Sequence, residues 1–309
     1  PVIRSHIALP PRASDAATDP GVQAEAGLLL FLANAIRRNG EVAHLLLTGP
    51  AGAGKTTTAL RLKDLVDPTN PPLSAAPRDA LGLIALAKGQ GITCLDNTSS
   101  MSRDAADLFS GFATGTAHTA RQLYSNGDLY SVEPLAPVMF TTVVPDLSSR
   151  PDLVSRMVRI VLERRASATP RGLLDAAWQT DRPALLAALL DIMVGALAGW
   201  QAVAVEWAGK PFDRLAGPLV FAEAAARAIG WKPNLLIEAM RESWQEQQAD
   251  AAAGNPLVAG LLDLTGRIES RIWEGTMTDL LSALTGPFGA QGKLNIRTPQ
   301  KLGQGIAGL

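Results

Sequence analysis

Cysteine is nearly missing from this chain. Cys94 is the only one, which excludes an internal disulfide framework and a cysteine-based zinc site and fits a reducing, cytoplasmic setting. Histidine is almost as scarce: His6, His44 and His118 are too scattered to hold a metal together, and His44, on an apolar run, is expected in the core. Aromatics make up 5% of a chain that is 47% hydrophobic, so the interior must be built from Ala, Leu and Val, a composition that favours packed helices. The Trp residues at 200, 207, 231, 244 and 273 fall on helical patterns and are expected in cores rather than as base-stacking surfaces. No charge of one sign dominates either. With 28 Lys+Arg against 29 Asp+Glu, the net charge of -1 excludes a basic module held to nucleic acid over its whole surface, so any DNA contact must be local. One apolar run, Pro183 to Val205, is long enough to span a bilayer, but Asp191, Gly195, Gly199 and Gln201 interrupt it. A buried helix and no membrane partner are expected. No charged-then-apolar leader follows Pro1, so no secretory signal is expected, and the missing initiator Met fits a piece of something longer.

What is present divides into four segments, with 309 residues suggesting two or three units. Residues 1–22, with Pro10, Pro11 and Pro20 and no helical period, read as an extended arm. Residues 23–165 alternate helical patterns with short apolar runs suited to buried strands, at Val42–Leu47, Gly91–Leu95, Val138–Val144 and Val158–Leu162. Between them, Thr119–Ser125 and Asp128–Val132 are joined by Asn126 and Gly127, a strong hairpin signal. Residues 166–253 lose the strand signal, and helices are expected at 171–178, 183–204, 215–229 and 233–249. Residues 254–309 change again, with Thr298 capping a terminal helix that starts at Pro299.

The sharpest motif is Gly49-Pro50-Ala51-Gly52-Ala53-Gly54-Lys55-Thr56, which satisfies GxxxxGK[ST] and lies between an apolar strand and a helix. The glycines let the backbone curl so that its N–H groups face phosphate oxygens, and the helix amino end adds a favourable dipole. Lys55 would neutralise the β and γ phosphates of ATP, and Thr56 would bind Mg2+ through its hydroxyl. Thr57 either lines the α-phosphate side or simply begins the helix. Forty residues on, the run Ile92–Leu95 delivers Asp96 at its carboxyl end, where a Walker B aspartate holds magnesium through water. Asn97 stands where many such ATPases carry the glutamate that polarises the attacking water, and an amide orients water without accepting its proton.

The run from Cys94 to Ile160 resembles the ATPase core of bacterial and phage primase-helicase proteins, related to superfamily 3 helicases and the wider AAA+ class. It holds an Asp-Asn pair, a helix, a Gly-Thr-Ala turn, an Arg-x-Leu-Tyr hairpin, a further strand and an Arg-Pro-Asp-Leu-x-x-Arg helix. The resemblance implies an α/β, AAA+-like P-loop core with a parallel sheet flanked by helices, then a helical domain and a partial winged-helix-like end in which WEGTMTDLLSAL forms one helix. It also implies a hexameric ring working on single-stranded or forked DNA. Arg121–Tyr130 matches the hairpin that enters the DNA channel, its tip at Asn126 and Gly127 uncharged, which leaves the grip to His118 and Arg121; the competing reading is an ordinary surface hairpin. Thr141 occupies the place of a sensor residue that touches the γ-phosphate, with Thr142 as fallback. Arg150 and Arg156, in SRPDLVSR, match the segment that projects an arginine finger into the neighbouring subunit's ATP site, with Arg156 preferred.

The function expected is an ATP-hydrolysing, ring-forming DNA helicase or translocase of replication. Two rivals stay open: an AAA+ nucleotide switch or loader that assembles with a primase or another replication protein without unwinding, and a P-loop kinase acting on a small molecule.

Overall fold

A computed structural model describes residues 2–38, 40–77, 79–116, 118–121, 129–132, 135–143, 151–164, 169–212, 214–254, 256–268, 272–285, 296 and 298–307. The chain divides into two compact units, Pro1–Gln245 and Glu246–Leu309.

The first unit is built on four parallel strands: β1 (His44–Thr48), β2 (Thr93–Leu95), β5 (Val138–Thr141) and β6 (Met157–Val161), in the order β2-β5-β1-β6. Such a sheet must be covered on both faces. The alternation of strand side chains does this here: Leu45 and Leu47 of β1 enter one apolar cluster and Leu46 the other. The first face carries α2 (Pro20–Arg37), α3 (Lys55–Val66), α7 (Arg171–Trp207) and α8 (Ala216–Ala228). The second carries α4 (Ala80–Lys88) and α5 (Arg103–Thr114), with Phe109, Phe112 and Phe140 stacked edge to face. The remaining strands, β3 (His118–Arg121) and β4 (Leu129–Val132), pair antiparallel, with Arg121 opposite Leu129. A short helix, α6 (Pro151–Val154), precedes β6.

Helix ends follow side-chain chemistry. Asp19 caps α2, accepting from Gly21 N at 2.8 Å and Val22 N at 3.2 Å, and Ser102 caps α5 through Ala105 N at 3.2 Å. The expected extended N-terminal arm contains one helical turn, α1 (Val2–His6). Where two helices are expected around Pro183, the chain keeps one, α7. Proline removes one helix hydrogen bond, but side chains just before it anchor the helix to α3: Trp178 Nε1 donates to Asp64 Oδ2 at 2.7 Å, and Arg182 Nη2 donates to Asp64 O at 2.8 Å. Tertiary contacts outweigh the local break. The helix is also less buried than expected. It is the one helix among the described residues long and apolar enough to cross a membrane. Leu189, Met193, Ala196 and Val203 enter the core, while Leu190, Val194 and Leu197 face outward, because α8 meets only one side.

Helix α9 (Leu235–Gly254) spans the division between the units. The second unit contains α10 (Pro256–Gly266), α11 (Met277–Thr285) and α12 (Pro299–Ala307), whose Leu257, Leu280, Leu284 and Leu302 form a small separate core. Its described residues contain no strand.

Candidate functional site

In a parallel sheet every strand ends at the same edge, so the residues that follow each strand converge. At that edge, β1 runs into the loop Gly49–Gly54, β2 into Asp96, and β5 ends in Thr141. Gly49 has φ 139° and Gly52 φ 79°, backbone regions that suit glycine. Gly54 then opens α3, and Thr58 N donates to Gly54 O at 2.8 Å.

The polar side chains at this edge satisfy one another. Thr56 Oγ1 donates to Asp96 Oδ1 at 3.0 Å, and Thr141 Oγ1 donates to the same oxygen at 2.6 Å. Thr141 Oγ1 in turn accepts from Asn97 N at 2.9 Å. Asn97 is held at φ 58°, a left-handed conformation that asparagine tolerates better than most residues, and its side chain is exposed. Lys55 Nζ donates to Gly49 O at 2.8 Å and Pro50 O at 2.9 Å. Burial pulls the Lys55 ammonium below its ordinary range, and nearby Asp96 works against this. Behind the site, burial raises the Cys94 thiol to about 12, with Asp96 adding to the effect, so Cys94 is a core residue and no nucleophile.

An ammonium, a hydroxyl and a carboxylate grouped at a helix amino end suit a polyphosphate with a hard cation. No group of three or more His, Cys, Asp or Glu side chains able to hold a metal occurs among the described residues. A cation here would depend on Thr56, Asp96, water and phosphate oxygens, as magnesium sites at phosphates commonly do. Thr57 faces the other way, onto a cavity of about 360 Å³ between α3 and α7 that Arg61, Asp64 and Trp178 also line.

Arg156 is not part of this group. It immediately precedes β6, and its carbonyl accepts from His44 N at 2.9 Å, at the opposite edge of the sheet. Five residues of strand separate the edges, about 16 Å at roughly 3.3 Å per residue. The Arg156 side chain turns back so that Nη1 donates to Asp152 O, while Nε is buried without a hydrogen-bond partner. Burial, then the neighbouring Arg214, press its guanidinium below the usual arginine range. His44 is fully buried nearby. Its Nδ1 accepts from Val138 N at 3.1 Å, so its proton sits on Nε2, which meets Phe109 O at 2.8 Å. Both bonds suit the neutral ring, and burial lowers its pKa to about 4.

Arg150, Asn126 and Gly127 lie outside the described residues. His118 and Arg121 are the first and last residues of β3. Sequence reasoning left two features unassigned. One is the role of the Thr141 hydroxyl in fixing Asp96 and Asn97, where a γ-phosphate contact is the expectation. The other is Arg164, whose Nε lies 3.8 Å from where a Cβ on Gly52 would sit. Its only sequence signal is its place just past the apolar run Val158–Leu162.

Among solved structures, the chain is similar to an MCM homologue from Methanopyrus kandleri, at 15% identity over 73% of this chain and 55% of that one, with a TM-score of 0.39. It is also similar to the active helicase Cch of SCCmec type IV, at 13% identity over 79% of this chain and 50% of that one, TM-score 0.40. The JCV helicase aligns at 17% identity over 75% of this chain and 66% of that one, TM-score 0.29. The chain thus spans about half the length of the first two. No curated protein matches it. The family model of actinomycete integrative conjugative element replication proteins matches residues 18–226, a span that takes in the loop, Asp96, Thr141, Arg156 and Arg164. The chain therefore belongs to the family of replication proteins of actinomycete integrative conjugative elements.

Proposed function

We propose that the chain is an ATP-hydrolysing, ring-forming DNA helicase or translocase serving replication of the element, with ATP and Mg2+ held between subunits of a homo-oligomer, a hexamer in this reading. The observation that carries it is the separation of the two sheet edges. Lys55, Thr56 and Asp96 gather at one edge, whereas Arg156 immediately precedes β6 at the other, beyond the reach of one side chain. A guanidinium so placed is out of reach of its own chain's loop, which supports a role at the nucleotide of another subunit. Its resting position favours release, because Nε is buried without a partner and gains a hydrogen bond by turning outward.

Thr56 and Asp96 would hold a magnesium ion, whose charge would offset the negative charge that builds as the terminal phosphate bond breaks. The protein's own part is positional. Lys55 exchanges its two loop carbonyls for phosphate oxygens, Thr56 and Asp96 orient the cation, and Thr141 keeps Asp96 and Asn97 in register. Asn97 orients the attacking water. The antiparallel pair β3–β4 would follow DNA, with His118 and Arg121 as contacts and Asn126 and Gly127 as further ones.

The second reading, a nucleotide switch or loader that assembles with a primase or other replication protein, is favoured by one observation. Asn97 brings an amide where turnover calls for a base, so hydrolysis would be slow. An ATPase titration with and without single-stranded DNA separates the two, run on the wild type, Lys55→Ala and Arg156→Ala. The helicase reading expects turnover that rises with protein concentration and with DNA, and that both variants lose. Turnover indifferent to DNA supports the switch. Normal hydrolysis by assembled Arg156→Ala removes the finger assignment.

A further inference from the structure

Arg164 has no part in the site as assigned so far. Strand β6 ends at Val161, and the backbone beyond it is pinned twice before reaching Arg164: Leu162 N donates to Thr48 O at 2.8 Å, and Glu163 N donates to Ala8 O at 3.2 Å. Leu162 also presses on the start of the loop, where a Cβ at Gly49 would come within 2.4 Å of Leu162 O. The segment carrying Arg164 is thereby fixed against the loop. Its guanidinium follows the same course and lies beside the middle of the loop, with Nε 3.8 Å from the Cβ position of Gly52. The side chain is exposed and makes no hydrogen bond or ion pair among the described residues. Lys55 differs on both counts, being buried and already bonded to Gly49 O and Pro50 O.

We propose that Arg164 is a second cation of the phosphate site, supplied by the same chain as the loop, and that it donates to phosphate oxygens of the bound polyphosphate from the outer side of Gly52. This rests on the nucleotide reading above. The residue type fits, because a guanidinium stays charged and its planar fork matches two phosphate oxygens at once. Its place at the edge where β6 ends also separates it from Arg156. Two arginines flanking one strand then have opposite assignments: Arg156, just before β6, serves a neighbour's nucleotide, and Arg164, past its end, serves the chain's own.

The test is equilibrium binding of fluorescent ATP and AMP analogues, with magnesium, to the wild type, Arg164→Ala, Arg164→Lys and Lys55→Ala. Arg164→Ala is expected to weaken ATP binding about tenfold, the size of one hydrogen bond to a charged group. Arg164→Lys is expected to lose less, AMP binding to change little, and the melting temperature of the nucleotide-free protein to stay the same. ATP affinity equal to wild type in Arg164→Ala overturns the assignment, and so does an equal loss for ATP and AMP. A different pattern marks failure of the nucleotide reading itself: wild type and Lys55→Ala would then bind ATP alike.

Discussion

The two edges of the parallel sheet solve the same problem in opposite ways. At the edge where the strands end, Thr56, Asp96 and Thr141 bond to one another through short side chains, with Asn97 exposed beside them. The Thr56 bond can be exchanged for one to a ligand, while the Thr141 bond holds Asp96 in place. At the edge where the strands begin, side chains bond to backbone carbonyls, the buried His44 to Phe109 O and the half-buried Arg156 to Asp152 O. Burial there is structural, and the buried, unpartnered Nε of Arg156 is the exception. A polar residue is thus marked as functional less by being buried than by whether its hydrogen bonds can be exchanged for a ligand's, as those of Thr56 and Lys55 can.

The contrast can be broken by substitution. The largest effect is expected at Arg156. Arg156→Ala should lower turnover by about 10³-fold while ATP binding persists, the scale of losing an arginine finger, as single-turnover and binding measurements would show. If binding falls in parallel with turnover, Arg156 acts on its own loop or on folding.

His44 sets the next effect, on stability. Its folded pKa of about 4 lies below the ordinary 6.5, so between those values the unfolded chain binds the proton that the folded chain refuses. The stabilisation is full above pH 6.5 and is lost as pH falls toward 4, on the order of 3 kcal/mol in all. Denaturant melts across that window should show stability rising with pH. A flat profile would mean that the ring is not held neutral. Arg156 adds to this depression of the His44 pKa, so Arg156→Gln should make the acid limb shallower.

Thr141 sharpens the other edge. Thr141→Val removes the hydroxyl that holds Asp96 and Asn97 and should slow magnesium-dependent turnover about tenfold, as loss of a group that orients a metal ligand does. Thr141→Ser should keep most of the activity. Equal losses in both variants would point to packing of the buried side chain.

Much of this was legible in the sequence because it is local. The loop and helix α3 announce themselves by glycine spacing and a strand before them. Asp96 follows from an apolar run too short for anything but a buried strand. Long-range pairing was not legible. The order β2-β5-β1-β6 puts Val161 beside Thr48, and only that pairing brings Arg164 to the loop. The union of two expected helices into α7 likewise depends on Asp64, more than a hundred residues away, receiving Trp178. Local rules read Pro183 as a break because they cannot see what anchors the helix beside it.

The claim that one nucleotide site needs two chains is tested most directly by mixing. Lys55→Ala chains lack the loop cation but carry Arg156, and Arg156→Ala chains have the reverse defect. Mixed together, with DNA and magnesium, the two are predicted to regain ATP turnover that neither has alone, because some interfaces then join an intact loop to an intact arginine. A mixture that stays inactive under conditions where the wild type turns over ATP and the variants co-assemble would contradict the account.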